Sequence, residues 1–160
     1  MKKLDEKEYI NMLEYFCLHR LRSKSQIFQD LLVLYFTGLK KNGFFLDIGA
    51  GDGVNISNTF ILEKNFNWNG IVCDPLPTWH KSLEKNRKCI IDKRCVYKSS
   101  NLEMIFEDCY KCPEVSGLKD ELEMDHNHIL RKDTRSLKAV SYTHLRAHET
   151  EAALVCRLLL

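Results

Sequence analysis

Apolar residues are spaced first as in amphipathic helices and then as in buried strands. Across residues 5–21, Tyr9, Met12, Leu13, Phe16 and Leu21 recur at helical spacing among charged neighbours, which predicts an amphipathic helix packed on the domain. Ser23 followed by Gln26 has the form of a capping box. It predicts a second helix presenting Ile27, Leu31, Leu34 and Tyr35 on one face and ending near Gly38. Lys40, Lys41, Asn42 and Gly43 then turn the chain. Phe44, Phe45, Leu46, Asp47 and Ile48 follow, apolar but for one aspartate, as expected of a short strand covered on both faces of a parallel sheet.

Residues 55–65 predict a crossover helix with Ile56, Phe60 and Ile61 toward the sheet, and Asn67, Asn69 and Gly70 are turn residues. Gly70, Ile71, Val72, Cys73 and Asp74 make a second buried strand that ends in an acid. The handedness of β-α-β units puts it parallel to and beside the first. Pro75 and Pro77 end that strand, and residues 78–87 suit a second crossover helix. Residues 89–91, 94–97 and 104–106 are short candidate strand pieces. Residues 111–135 are polar and poorly periodic, so they are expected to be loop with one helix around 118–124. This order of elements is α/β and Rossmann-like.

The chemistry is concentrated where the first strand ends. Gly49, Gly51 and Gly53 alternate there, with Asp52 between the last two. Glycine permits positive φ and lets backbone approach a ligand without a Cβ in the way. The dinucleotide fingerprint G-x-G-x-x-G would need glycine where Val54 stands, and no Gly-Lys-Ser/Thr follows as in a P-loop. Asp74, at the end of the second strand, can accept both hydrogen bonds of a ribose diol. An adenosine ligand without a pyrophosphate fits this combination, and S-adenosyl-L-methionine is such a ligand.

The chain resembles the FkbM family of S-adenosylmethionine-dependent methyltransferases from Ser25 to about Gly117. The resemblance rests on SQIFQD (Ser25 to Asp30), GFFLDIGAGDG (Gly43 to Gly53), SNT (Ser57 to Thr59) and WNGIVCDPLP (Trp68 to Pro77). LEKNR (Leu83 to Arg87) and Cys95-Val96 add to it. It implies a class I methyltransferase fold that transfers a methyl group to a hydroxyl of a sugar, glycan or other small metabolite. The cofactor-binding residues it implies are Asp47, Gly49, Ala50, Gly51, Asp52, Asp74 and Gln29. Gly49 and Gly51 would face the methionine and ribose parts, and Asp47 the ammonium or, through water, the sulfonium region. Gln29, with Gln26 and Asp30, would border the amino-acid end, although helix capping explains these residues too. Asp52 serves equally as a loop brace, and Asn58 and Thr59 as braces of the crossover helix. No catalytic residue is assigned.

Composition changes this picture little. A net charge of +2 with 29% charged residues gives no argument for nucleic acid or an anionic membrane. The longest apolar run, residues 31–36, is far short of the ~20 residues a membrane span needs. No apolar segment follows the basic N-terminus as in a signal peptide, so a cytoplasmic location is expected. The seven cysteines, an odd number, suit a reducing compartment, and Cys73, Cys89 and Cys95 sit in apolar runs as small hydrophobes. Cys109 and Cys112 form C-x-x-C upstream of His126 and His128, but H-x-H is not zinc spacing, so no metal is expected. Cys112-Pro113 and Asp74-Pro75-Leu76-Pro77 match neither motif of DNA methyltransferases.

The expected organisation is an amphipathic helix over 1–24, a partial methyltransferase domain over 25–140 and a non-native tail over 141–160. Residues 141–160 resemble an adaptor-derived sequence, and the Asp/Glu-bearing strand with which the family continues is not found. The fold is thus expected to be truncated after the first three or so strands, with the catalytic residues beyond the break. A true C-terminal helix over 144–160 is the alternative. Two further readings stay open: an incomplete, non-catalytic Rossmann-like fragment, and a binding module for another adenosine ligand such as NAD.

Overall fold

The computed structural model describes residues 5–124, 130–131, 133–142 and 153–154. Helix α1 (Glu6–His19) opens with a capping box: the Glu8 N–H donates to the Asp5 carboxylate at 2.8 Å and the Asp5 N–H to Glu8 at 3.0 Å. The expected amphipathic helix therefore forms, but it buries none of its residues. It meets the body through rings, Tyr15 lying 5.8 Å from Tyr35, and through a 3.0 Å hydrogen bond from the Tyr35 hydroxyl to the Glu8 carbonyl.

Helix α2 (Gln29–Phe36) begins later than the Ser23/Gln26 pattern predicts. The cause is Asp30, whose carboxylate accepts from the Ser23 hydroxyl at 2.6 Å, the Ser25 hydroxyl at 2.7 Å and the Lys24 N–H at 2.9 Å. These bonds gather residues 23–25 into a loop, because local side-chain bonds compete with helix formation. Phe28 enters α2 in the left-handed region, and Ile27, placed by the pattern on the buried face, is 58% exposed. Leu31 and Leu34 are buried as expected.

The first sheet has the order β3-β2-β1-β8, formed by β1 (Phe44–Ile48), β2 (Asn69–Cys73), β3 (Ile90–Asp92) and β8 (Ala153–Leu154). All its pairs are parallel; Phe45 lies opposite Gly70 and Ile48 opposite Cys73. Helices α3 (Phe60–Phe66) and α4 (Pro77–Asn86) are the two crossovers. Phe45, Leu62, Val72 and Leu83 form the centre of the core with Trp68, whose indole N–H donates to the Lys40 carbonyl at 2.7 Å. The alternative of a helix over 144–160 fails at Ala153 and Leu154, which pair beside Phe45 and Leu46; its other residues lie outside the described ones.

Helix α3 starts at Phe60, not near residue 55 as the pattern predicts. The Asp52 carboxylate accepts from the Val54 and Asn55 amides, both at 2.8 Å, and Ile56 lies at φ 55°, so 52–56 is a loop. The Ser57 hydroxyl then accepts the Phe60 N–H at 3.1 Å, at the start of the helix.

A second sheet, β4-β7-β5-β6, comprises β4 (Cys95–Val96), β5 (Glu103–Cys109), β6 (Gly117–Leu118) and β7 (Thr134–Tyr142). β5 and β7 pair antiparallel along 103–109 and 134–140. Cross-strand charges assist: Arg135 reaches Asp108 at 2.9 Å and Lys138 reaches Glu103 at 3.2 Å. The helix expected around 118–124 forms as a 3-10 helix, Lys119–Met124, directly after the short strand β6. β7 runs through position 141, the first of the expected tail, and Ser141 is buried, donating to the Ser99 carbonyl at 2.6 Å. The architecture is mixed α/β, and no helix among the described residues is long and apolar enough to cross a membrane.

Candidate functional site

The turn after β1 is fastened to the end of β2. The Gly49 and Ala50 N–H groups both donate to the Cys73 carbonyl, at 2.8 and 3.1 Å. The Gly51 N–H donates to the Asp74 carboxylate at 2.8 Å, and the Gly53 N–H to the Ala50 carbonyl at 3.0 Å. Gly49, Gly51 and Gly53 take φ of 75°, 58° and 81°, the left-handed region that favours glycine. A Cβ added at Gly49 would meet nothing within 4 Å, so its open side faces free space.

Asp74 is 6% exposed, and its second carboxylate oxygen accepts the Leu76 N–H at 2.9 Å. One side chain thus spans the glycine turn and the start of α4. Beside it a cavity of about 220 Å³ opens at the carboxyl ends of β1 and β2. Gly49 and Asp74 border it from the first sheet, Trp79 from α4, and Cys95, Phe106 and Glu114 from the second sheet's side. This is where ligands bind in open parallel sheets. Arg94, also at the wall, makes a bidentate pair with Asp92 at 2.9 and 2.6 Å, which holds the Asp92 carboxyl below its ordinary value against the opposing effect of burial. Burial, with Asp92 and Asp47 nearby, pushes the Cys73 thiol up to about 12.

Asp47 sits one layer deeper, 1% exposed. The Thr59 hydroxyl donates to it at 2.6 Å and accepts from the Arg87 guanidinium at 2.9 Å. Arg87 also donates to the Gly53 carbonyl and the Ser57 hydroxyl, both at 3.3 Å, and pairs with Glu63 at 2.6 Å. Its guanidinium lies 5.3 Å from the centre of the Phe45 ring. Burial works against the Glu63 carboxylate, but Arg87 and the Lys88 amide outweigh it and hold the carboxyl below its ordinary value.

The expected residues divide into two groups. Gly49 and Asp74 border the cavity, with Gly51 tied to Asp74. Ala50 turns its methyl into the core, Asp47 braces Thr59, and Asp52 holds the loop amides. Gln29 lies at the start of α2, where its side chain accepts the Ile27 N–H at 2.9 Å; it is not among the residues lining the cavity. Thr59 does brace this region, though through Asp47 and Arg87 and without capping α3.

Cys73 and Cys95 are buried, and all six described cysteines are free thiols. Cys109 is buried with its sulfur 3.4 Å from the Leu130 carbonyl, while His126 and His128 lie outside the described residues. No group of three metal-ligating side chains occurs among the described residues.

Three contributors were not anticipated: Trp79, the second sheet's wall and the Arg87 network. A basic residue just after an amphipathic helix reads as a solvated end, and LEKNR marks Arg87 only as part of the resemblance, without indicating its buried network. The second-sheet wall depends on pairing between segments far apart in sequence. No protein-family model matches the chain, and no curated protein matches it.

Proposed function

We propose that the glycine turn and its cavity bind the adenosyl part of S-adenosyl-L-methionine, in a Rossmann-like class I methyltransferase of FkbM type. The acceptor on this reading is a hydroxyl of a sugar or small metabolite. The observation that carries it is the placement of Asp74, whose carboxylate touches the Gly51 N–H while bordering the cavity that Gly49 enters. A carboxylate has about four acceptor sites, so bonds from Gly51 and Leu76 are compatible with accepting a ribose diol as well.

The turn's own bonds favour a ligand without a pyrophosphate. The N–H groups of Gly49, Ala50, Gly51 and Gly53 all have acceptors within the protein, whereas a phosphate cradle needs such groups aimed at the ligand. α3 begins at Phe60, so its N-terminus does not follow directly on the glycines as in a dinucleotide fold. The cavity is smaller than the ~300–1,000 Å³ typical of small-molecule sites, so a ligand of this size would fill it and extend through its mouth.

When bound, S-adenosyl-L-methionine supplies an electrophilic methyl group. The chain's residues then have three tasks. Asp74 holds the ribose, the bare backbone at Gly49 allows close approach, and Trp79 and Phe106 shield the cavity from water. Holding donor and acceptor in line is the main source of rate in such a displacement, and an alcohol acceptor also requires a base. Isothermal titration with S-adenosylhomocysteine and with NAD tests the reading. Saturable binding of the former in preference to NAD is expected; preference for NAD would replace it with a dinucleotide-binding module.

A further inference from the structure

We infer that the groove between α1, α2 and α3 is a second binding site, for the carboxylate and alkyl chain of a free long-chain fatty acid. It shares no lining residue with the cavity at the glycine turn. Its origin lies in how α1 is held. That helix buries no residue fully and rests on the body through Tyr15 and Phe16, the Tyr15–Tyr35 ring contact and the Tyr35–Glu8 hydrogen bond. The space left is about 680 Å³, within the ~300–1,000 Å³ range of small-molecule sites.

The lining is divided by chemistry. Leu31, Leu34, Ile61 and Phe66 provide apolar floor, and Leu21 and Leu39 extend that surface to the exterior. His19, Arg22 and Lys24, close together in the sequence, also line it, and no lining residue is acidic. The carboxylate of Asp30 is fully buried, engaged by Ser23, Ser25 and the Lys24 amide, and does not line the groove. An apolar lining that also carries cationic side chains is complementary to one anionic head on one hydrocarbon chain. Arginine is the better partner for a planar carboxylate, which it can meet with two parallel donors. A recessed groove encloses a single chain, whereas a bilayer surface would call for a protruding apolar face.

The test is displacement of a dansyl-labelled undecanoic acid from the full chain, followed by fluorescence. Saturable one-to-one binding is expected, with displacement by dodecanoate, poor displacement by 1-dodecanol and weakening at high salt. Arg22→Gln with Lys24→Gln should weaken binding about tenfold, as expected for loss of charge-assisted contacts. Both side chains are exposed, and a melting curve checks that the fold is kept. Leu21→Glu, at a position 85% exposed, should weaken binding independently by placing like charge at the rim. Absence of saturable binding, equal displacement by dodecanol, or unchanged affinity in both variants would overturn the inference. So would binding to anionic phospholipid vesicles that leaves the probe in place.

Discussion

The Asp74 carboxylate accepts the Gly51 N–H at 2.8 Å across the gap between the ends of β1 and β2. A contact between residues 23 positions apart joins a glycine turn to an acid at the next strand's end. The same carboxylate accepts the Leu76 N–H, so the proposed ligand contact and local stability would share one side chain.

Asp74→Ala should therefore do two things. Removal of charge-assisted acceptors should weaken S-adenosylhomocysteine binding by about 1–3 kcal/mol. Leaving the Gly51 and Leu76 amides without their acceptor should also destabilise the fold by about 1–3 kcal/mol. Calorimetric titration and a melting curve on the same sample separate these losses. A variant that melts lower but binds unchanged would remove Asp74 from the ligand site.

Gly49 and Gly51 should respond differently to side chains. Gly49→Ala places a methyl toward open space at φ 75°, so it should weaken binding while costing about 1–3 kcal/mol of backbone strain. Gly51→Val puts a β-branched residue at φ 58° in a buried turn and should lower the melting temperature more. Equal melting temperatures for the two variants would contradict this assignment of strain.

Arg87 and Glu63 form a buried pair that also supports the turn through Gly53 and Thr59. Arg87→Ala should cost about 1–3 kcal/mol, since Glu63 keeps Lys64 at 3.2 Å and the Lys88 amide but loses its buried charge-assisted bond. Arg87→Met combined with Glu63→Leu should recover much of that loss. Chemical denaturation of the unaltered protein and these two variants measures both effects, and a double variant no more stable than Arg87→Ala would contradict a coupled pair.

Acid should weaken the fold through the same pair. The folded Glu63 carboxyl lies below its ordinary value of 4.5, so its contribution is fully present above that pH. It is lost as pH falls through the lower folded value, because the unfolded chain takes up the proton first. Glu63→Gln should flatten this part of the acid profile. An unchanged slope below pH 4.5 would mean that other carboxyls dominate.

The turn and its two flanking strands were legible because their signals are local: an apolar run, alternating glycines and an acid at a strand end. Three things were not, each for a physical reason. Ser23 resembles a helix cap, but buried Asp30 recruits its hydroxyl into a loop. Asn55 and Ile56 have a helical pattern, but Asp52 holds the Asn55 amide and Ile56 takes a left-handed φ. Of β5 only 104–106 reads as strand; its full extent and that of β7 come from their pairing across about thirty residues, and Phe106 of β5 borders the cavity.

The most direct test is titration of ¹⁵N-labelled protein with S-adenosylhomocysteine, observed at individual amides. The shifts should concentrate at Gly49, Gly51, Asp74 and Trp79, with the α1–α2 residues unmoved. No change at the glycine turn under saturating ligand, or changes confined to the helical groove, would contradict an adenosyl site there.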